Sequence, residues 1–317
     1  MEPEYNRDEE ILTDGHGAQI AAIFFAIIIC ATVAYIFGFG RTTQTKNQTD
    51  TLTVTNTSSA IGKIDPFATA SIQAKSAYVW DIRNQKVLFN KNANDVLPLA
   101  SITKIMTADV ASELLSSTTT ISISKTDLAQ DGDTGLLLNE RWTFRKLLDF
   151  TLAVSSNDGA SALASTASPI FVEKMNEKAK TLGLSSMRFY NPTGLDESAT
   201  QSGAYGSAVD VAKLFSYTLQ VHPEVFEATR HAKFTTSSLD NFKHTAINTD
   251  VEINNIPGII GSKTGFSDLA GGNLAIIYDA GVNYPIVVVV LGSTYDGRFS
   301  DVTTLVRATN QTLSLQK

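Results

Sequence analysis

Three short strings follow one another along this chain: Ser101-Ile-Thr-Lys104, Ser155-Ser-Asn157 and Lys263-Thr-Gly265. Their residue types suit a serine acyl-transfer site that needs no histidine. A serine hydroxyl attacks only when a neighbour takes its proton, and a lysine can take it only when neutral. Desolvation and a second cation nearby both push a lysine toward neutrality, and Lys263 would be that cation if it lines the same cleft. In this reading Ser101 is the nucleophile and Lys104 its base. Ser155 would pass a proton to the leaving amine, and Asn157 would hold the substrate backbone. Lys263 and Thr264 would hold a carboxylate, one by charge and one by hydrogen bond, with Gly265 leaving room for substrate.

These side chains need particular elements to bring them together. Ser122-Ile-Ser-Lys125 also fits Ser-x-x-Lys, but it sits in a Thr-rich alternating stretch that reads as a strand, where residues three apart face opposite ways. Ser101 lies beyond Pro98 in a helix-compatible run, and on a helix residues three apart share a face. The residues around Lys263 read as one strand paired with a second that begins near Gly271. Neighbours on a strand point oppositely, so Lys263 and Thr264 can serve one cleft only if the strand's edge lines it. Taken singly, Ser101 also fits a helix start, Ser155-Ser-Asn157-Asp158 a cap or turn, and Lys263-Thr-Gly265 a strand running into a turn.

Other chemistries find less support. The four histidines show no H-E-x-x-H spacing, so no metal site is expected, and neither a G-x-S-x-G elbow nor a phosphate-binding glycine loop is present. No cofactor is expected. His222-Pro223 reads as a helix stop. Of the net charge of −7, residues 1–17 hold one Arg against six Asp and Glu, leaving the remainder near neutral, which argues against a nucleic-acid partner.

With its flanking blocks, the chain resembles the D-alanyl-D-alanine carboxypeptidases, the low-molecular-mass penicillin-binding proteins of the serine β-lactamase-like superfamily. Beyond the three strings the resemblance rests on Ala77-Tyr-Val-Trp-Asp-Ile, Leu99-Ala-Ser-Ile-Thr-Lys-Ile-Met-Thr, Asn191-Pro-Thr-Gly-Leu-Asp and Ser207-Ala-Val-Asp-Val-Ala, and it covers residues 72–304. It implies that Ser101, Lys104, Ser155 and Asn157 are catalytic and that Lys263, Thr264 and Gly265 bind substrate. It also implies an oxyanion hole made by the backbone N–H groups of Ser101 and Phe266. Phe266 stands where the family commonly has histidine, and Ser156 where glycine is often found. The implied partners are peptidoglycan stem peptides, with β-lactam antibiotics as inhibitors. D,D-endopeptidase, transpeptidase or β-lactamase activity on the same site is the alternative. A non-catalytic wall-binding or β-lactam-sensing module is the alternative from another class.

Residues 18–40 carry no charge, and about 20 such residues cross a bilayer as a helix. The acidic lead and the lack of a strong A-x-A site following the span favour an uncleaved transmembrane anchor over a signal peptide, with the lone Cys30 packed inside it. The expected organisation is a cytoplasmic tail (1–17), the transmembrane helix (18–40), a Thr/Ser/Asn-rich flexible linker (41–70) and a catalytic domain (71–317). Arg41 and Lys46 just past the span mildly oppose this orientation, but a wall substrate places the catalytic domain outside the bacterial cytoplasmic membrane.

The expected fold is α+β. Strand patterns cluster at 77–90 and again at 258–263, 272–280 and 284–291. Helical patterns fill 143–154, 158–167, 170–182 and 207–221, and a last helix starts near residue 300. Such segregation implies an antiparallel sheet built from both chain ends, flanked by helices, with an all-helical subdomain inserted. The resemblance implies the same β-lactamase/D,D-peptidase-like arrangement, with the site between the two parts.

Overall fold

The computed structural model describes residues 65–315. The expected tail, the span at 18–40, Cys30 and most of the linker lie outside them. Among the described residues no helix is long and apolar enough to cross a membrane. Phe67, near the end of the expected linker, is buried in a short 3-10 turn and stacks on Phe89 at 5.3 Å, so the linker's last residues are packed.

In chain order the elements are β1 (Ser76–Asp81), β2 (Lys86–Lys91), β3 (Leu97–Pro98), α1 (Thr103–Leu114), β4 (Thr120–Ser122), β5 (Arg141–Thr143), α2 (Phe144–Val154), α3 (Asn157–Ala167), α4 (Phe171–Thr181), β6 (Arg188–Phe189), β7 (Ala204–Gly206), α5 (Ala208–Val221), β8 (Lys233–Ser237), β9 (Lys243–Ile247), β10 (Ile259–Ser267), β11 (Gly271–Asp279), β12 (Pro285–Ser293) and α6 (Gly297–Ser314). The main sheet is antiparallel in the order β10-β11-β12-β1-β2, so strands from both ends of the domain meet where Ser76 pairs with Leu291. β10 is an edge strand. The condition for Lys263 and Thr264 to share a cleft is therefore met.

Both sheet faces are buried, which explains near-continuous runs such as Ile286-Val-Val-Val-Val-Leu291. Alternate residues serve two cores, as a two-residue period requires. Ile286, Val288, Val290, Leu274, Ile276 and Val79 pack with Val302 and Leu305 of α6. Val287, Val289, Leu291, Ile277 and Tyr78 face the helical part and join Ile105, Met106 and Phe215. α1 lies deep within this second core. Every residue from Thr103 to Ala111 is buried, so Lys104 has no route to bulk water along its own helix.

The helices at 143–154, 158–167, 170–182 and 207–221 form within a residue or so of expectation, and α5 ends before His222-Pro223. The inserted part is not all-helical. It includes the pairs β4–β5 and β8–β9 and the small sheet β3-β7-β6. These strands are two to five residues long, and their Thr, Ser and Lys content weakens the apolar alternation that marks a strand. Ser122 ends β4 and is exposed there, on a strand as its sequence context predicts.

Candidate active site

The chain enters the site through a left-handed residue. Ala100 has φ of 47°, rare without glycine, and such strain persists only when the surroundings fix it. Here they do. The side-chain amide of Asn273, on β11, donates to the carbonyls of Pro98 and Leu99, and Leu99 N–H donates to Ala204 O. Gly194 presses on the turn from the other side: a Cβ there would lie 1.9 Å from Ala100 O. Ser101 follows in a 3-10 turn that leads into α1. This geometry brings Ser101 Oγ to 2.8 Å from Lys104 Nζ, the meeting that helical spacing predicts.

Lys104 Nζ makes two further contacts, 2.7 Å to Asn157 Oδ1 and 2.8 Å to Thr193 O. Both are carbonyl oxygens, which only accept. Burial, and then the charge of Lys263, hold the Lys104 amine well below the usual lysine range. A neutral amine has two N–H donors and one lone pair. The two carbonyls take the donors, and the lone pair is left for the Ser101 hydroxyl.

The second motif sits between two helices. Ser155 closes α2 in the left-handed region, at φ of 60°, and Asn157 opens α3. Between them Ser156 caps α3 by accepting from Gly159 N–H at 2.9 Å. Its hydroxyl also bonds Thr134 Oγ1 at 2.7 Å, fastening the 131–135 loop to the site. That accounts for a serine where glycine is often found. Asn157 Nδ2 donates to Asp131 O at 2.6 Å, so one amide joins the loop to Lys104.

The third motif lies along β10. Lys263 Nζ donates to Ser155 Oγ at 2.8 Å and to Thr264 O at 2.9 Å. Burial and the Arg298 guanidinium, opposed by Asp250, lower the Lys263 amine to about 7. Thr264 Oγ1 lies 2.6 Å from Thr249 Oγ1, and Thr249 N–H donates to Ala153 O. Gly265 passes so close to the turn before Ser101 that a Cβ would meet Leu99 O at 2.8 Å. Arg298, from the first turn of α6, donates to Gly265 O at 2.8 Å. Phe266 is half exposed beside them.

The side chains singled out by motif fall into two hydrogen-bonded groups, Ser101–Lys104–Asn157 and Ser155–Lys263, with Thr264 bonded to Lys263 through its backbone oxygen and the two groups coupled by the charge of Lys263 on Lys104. The arrangement offers a hydroxyl beside a neutral amine, a second hydroxyl beside a cation, and an edge strand for a substrate to lie along. Thr193, Thr249, Asp250 and Arg298 were not legible as site residues. Thr193 acts through its backbone carbonyl, and the other three carry no spacing signal that ties them to Lys263. Among the described residues no cluster of His, Cys, Asp or Glu is suited to hold a metal ion. A surface groove of about 790 Å³ lies away from this chemistry, between the turn at Pro66 and α6.

The family of D-alanyl-D-alanine carboxypeptidases matches residues 63–294, a range that holds all three motifs. The chain belongs to that family. It is 33% identical over 256 residues to the D-alanyl-D-alanine carboxypeptidase DacF of Bacillus subtilis (strain 168), covering 77% of this chain and 64% of that protein. It is also 33% identical over 145 residues to the D-alanyl-D-alanine endopeptidase of Escherichia coli (strain K12), over 43% of this chain and 47% of the relative. The chain thus spans less than two thirds of either relative's length. Among solved structures, penicillin-binding protein D2 from Listeria monocytogenes in its ampicillin-bound form aligns at a TM-score of 0.66 and 28% identity, over 75% of this chain and 97% of that one.

Proposed function

We propose that this protein is a membrane-anchored serine D,D-carboxypeptidase that removes the terminal D-alanine from peptidoglycan stem peptides. The observation that carries the proposal is the bonding of Lys104: two carbonyl acceptors at 2.7 and 2.8 Å consume its donors, so its lone pair faces Ser101 Oγ at 2.8 Å. The Ser101 hydroxyl could also accept from a protonated lysine, and it is burial, with the charge of Lys263, that favours the neutral amine.

The free C-terminal carboxylate of the substrate binds Lys263 and Thr264, and the scissile carbonyl turns toward the N–H groups of Ser101 and Phe266. As Ser101 Oγ bonds to the carbonyl carbon, its proton moves to Lys104 Nζ, and the backbone N–H pair holds the developing oxyanion. Collapse breaks the C–N bond. The leaving amine receives, through the Ser155 hydroxyl that Lys263 bonds at 2.8 Å, the proton that Lys104 took from Ser101, so D-alanine departs and Lys104 is neutral again. Water then attacks the Ser101 ester with Lys104 again accepting a proton, which releases the shortened peptide and restores the hydroxyl. A β-lactam enters the first half of this cycle as a substrate mimic, in keeping with the ampicillin-bound relative.

Endopeptidase cleavage of crosslinks is the second reading, favoured by the likeness to the Escherichia coli endopeptidase. Incubation of the protein with a pentapeptide and with a crosslinked dimer, followed by mass spectrometry, separates the two. Loss of one D-alanine from the pentapeptide is expected, with the dimer cut more slowly. Faster cleavage of the dimer would replace the carboxypeptidase reading, and release from either substrate by Ser101→Ala would overturn the Ser101 assignment.

Residues 18–40 support an N-terminal anchor with the catalytic domain outside the bacterial cytoplasmic membrane. The intact chain is expected to sediment with membranes, and protease added outside the cell should release an active soluble fragment. A mature N-terminus just past Gly40 would mean a cleaved signal peptide instead.

A further inference from the structure

Two aromatic side chains at the mouth of the site have no role in the cycle above. Phe266 is 49% exposed and Tyr295 55% exposed, yet their rings meet edge to face at 4.9 Å and 87°. Tyr295 is held in turn by Arg298, whose guanidinium lies 4.4 Å from its ring centre and 4.7 Å from that of Phe299. The same guanidinium donates to Gly265 O, between Thr264 and Phe266. The pair is therefore fixed to the strand that carries the carboxylate clamp, with much of each ring left uncovered.

We propose that Phe266 and Tyr295 form an aromatic ledge for the side chain of the substrate's last residue, so that the protein releases large apolar D-amino acids at least as readily as D-alanine. The inference rests on the carboxypeptidase reading. With the terminal carboxylate at Lys263 and Thr264 and the scissile carbonyl at the Phe266 N–H, only the leaving residue spans the gap, and its Cα lies between Thr264 and Phe266. Gly265, at the middle of that gap, packs against Leu99 and Ala100, so the backbone there runs flush with the turn that carries Ser101. A methyl group covers little of two rings, whereas a branched or aromatic side chain covers much more apolar surface. A single methylene in an apolar pocket shifts specificity by about 10–200-fold, and a ledge open on one side belongs at the low end of that range.

The test uses the full-length protein in detergent and three synthetic pentapeptides that differ only in the last residue, D-Ala, D-Leu or D-Phe. The readout is the ratio of kcat/KM for D-Leu or D-Phe to that for D-Ala, so a general loss of activity cancels. The native protein should give ratios of one or more. Tyr295→Ala and Phe266→Ala should each lower them about tenfold, while Phe266→Tyr should restore them. Penicillin labelling of each variant checks that the site is folded. Ratios below one in the native protein, or ratios unmoved in either alanine variant, overturn the ledge. Failure to release D-alanine from the D-Ala peptide would instead remove the parent reading.

Discussion

Replacing Asn157 with aspartate tests the claim that Lys104 works as a neutral base. The change is nearly isosteric and puts a negative charge where Oδ1 now lies, 2.7 Å from Lys104 Nζ. At an effective dielectric of about 20, Coulomb's law gives roughly 6 kcal/mol at that separation, an upper bound. Carboxylates this close to a cation stabilise it by about 1.4–4 kcal/mol in practice. The neutral fraction of Lys104 near pH 7 should then fall by a factor of about 10 to 1000, and acylation with it. The assay is the second-order rate of labelling by a fluorescent penicillin as a function of pH. The acid limb should move to higher pH in Asn157→Asp, with the rate climbing about tenfold per pH unit along it. The aspartate also sets an oxygen where Nδ2 now donates to Asp131 O, which would push the 131–135 loop away. Asn157→Ala loses both bonds without adding charge and so reports that part alone; its acid limb should not move upward. An Asn157→Asp profile that is merely scaled down, with its limb in place, would refute the neutral-lysine argument.

The third motif makes its own pH signature. Burial and the Arg298 guanidinium lower the Lys263 amine to about 7, so its charge should be present below that pH and lost as pH rises through it. With a free-carboxylate peptide, kcat/KM should decline above about pH 7, and the C-terminal amide should show no such decline. A charge-assisted bond is worth about 1.5–3 kcal/mol, so Lys263→Ala should lower kcat/KM for the free acid by one to two orders of magnitude and for the amide by much less. Gly194→Ala should slow penicillin acylation about a hundredfold and lower the melting temperature, because its Cβ would lie 1.9 Å from Ala100 O at a φ of 80°; an unchanged acylation rate would show that the turn does not depend on this contact. Penicillin should give one long-lived adduct on Ser101, lasting minutes or more by mass spectrometry. Rapid deacylation in class A β-lactamases relies on a glutamate after the second motif. Glu173, the first glutamate after Asn157, lies on α4 and lines a surface hollow with Val172 and Tyr190 that no motif residue lines, so rapid turnover without an adduct would contradict this assignment.

The site's reacting groups were legible because their chemistry constrains residue type and spacing together. Ser101 and Lys104 need one helical face, and Lys263 and Thr264 need an edge strand; the sequence states both conditions. The groups that aim them were hidden for a physical reason. Ala100 holds a rare backbone conformation that its residue type does not announce, and Thr193 offers only a carbonyl that any residue would have. Arg298 reaches the third motif from 33 positions later, through the backbone oxygen of Gly265. In the fold, the long strands and helices stood out by period, whereas β8 and β9 were missed because Lys233-Phe-Thr-Thr-Ser and Lys243-His-Thr-Ala-Ile place few large apolar residues on either face. Ser156 stands where glycine is often found, and its bonds to Gly159 and Thr134 give it a role that the sequence alone does not show.

The pairing of β1 with β12 joins Ser76 to Leu291, and the turn before Ser101 is fastened by Asn273 of β11. Contacts of such wide sequence separation form late, because a long loop must close before they reward it. During synthesis the serine and its lysine would emerge together on one helix while β10–β12, with Lys263 and the clamp on the nucleophile turn, had yet to appear. The growing chain would thus hold its nucleophile without the second cation that helps neutralise Lys104. Reactivity toward β-lactams should consequently switch on at the last step of folding, as one cooperative event, and a drug in the medium would find no half-made site to trap.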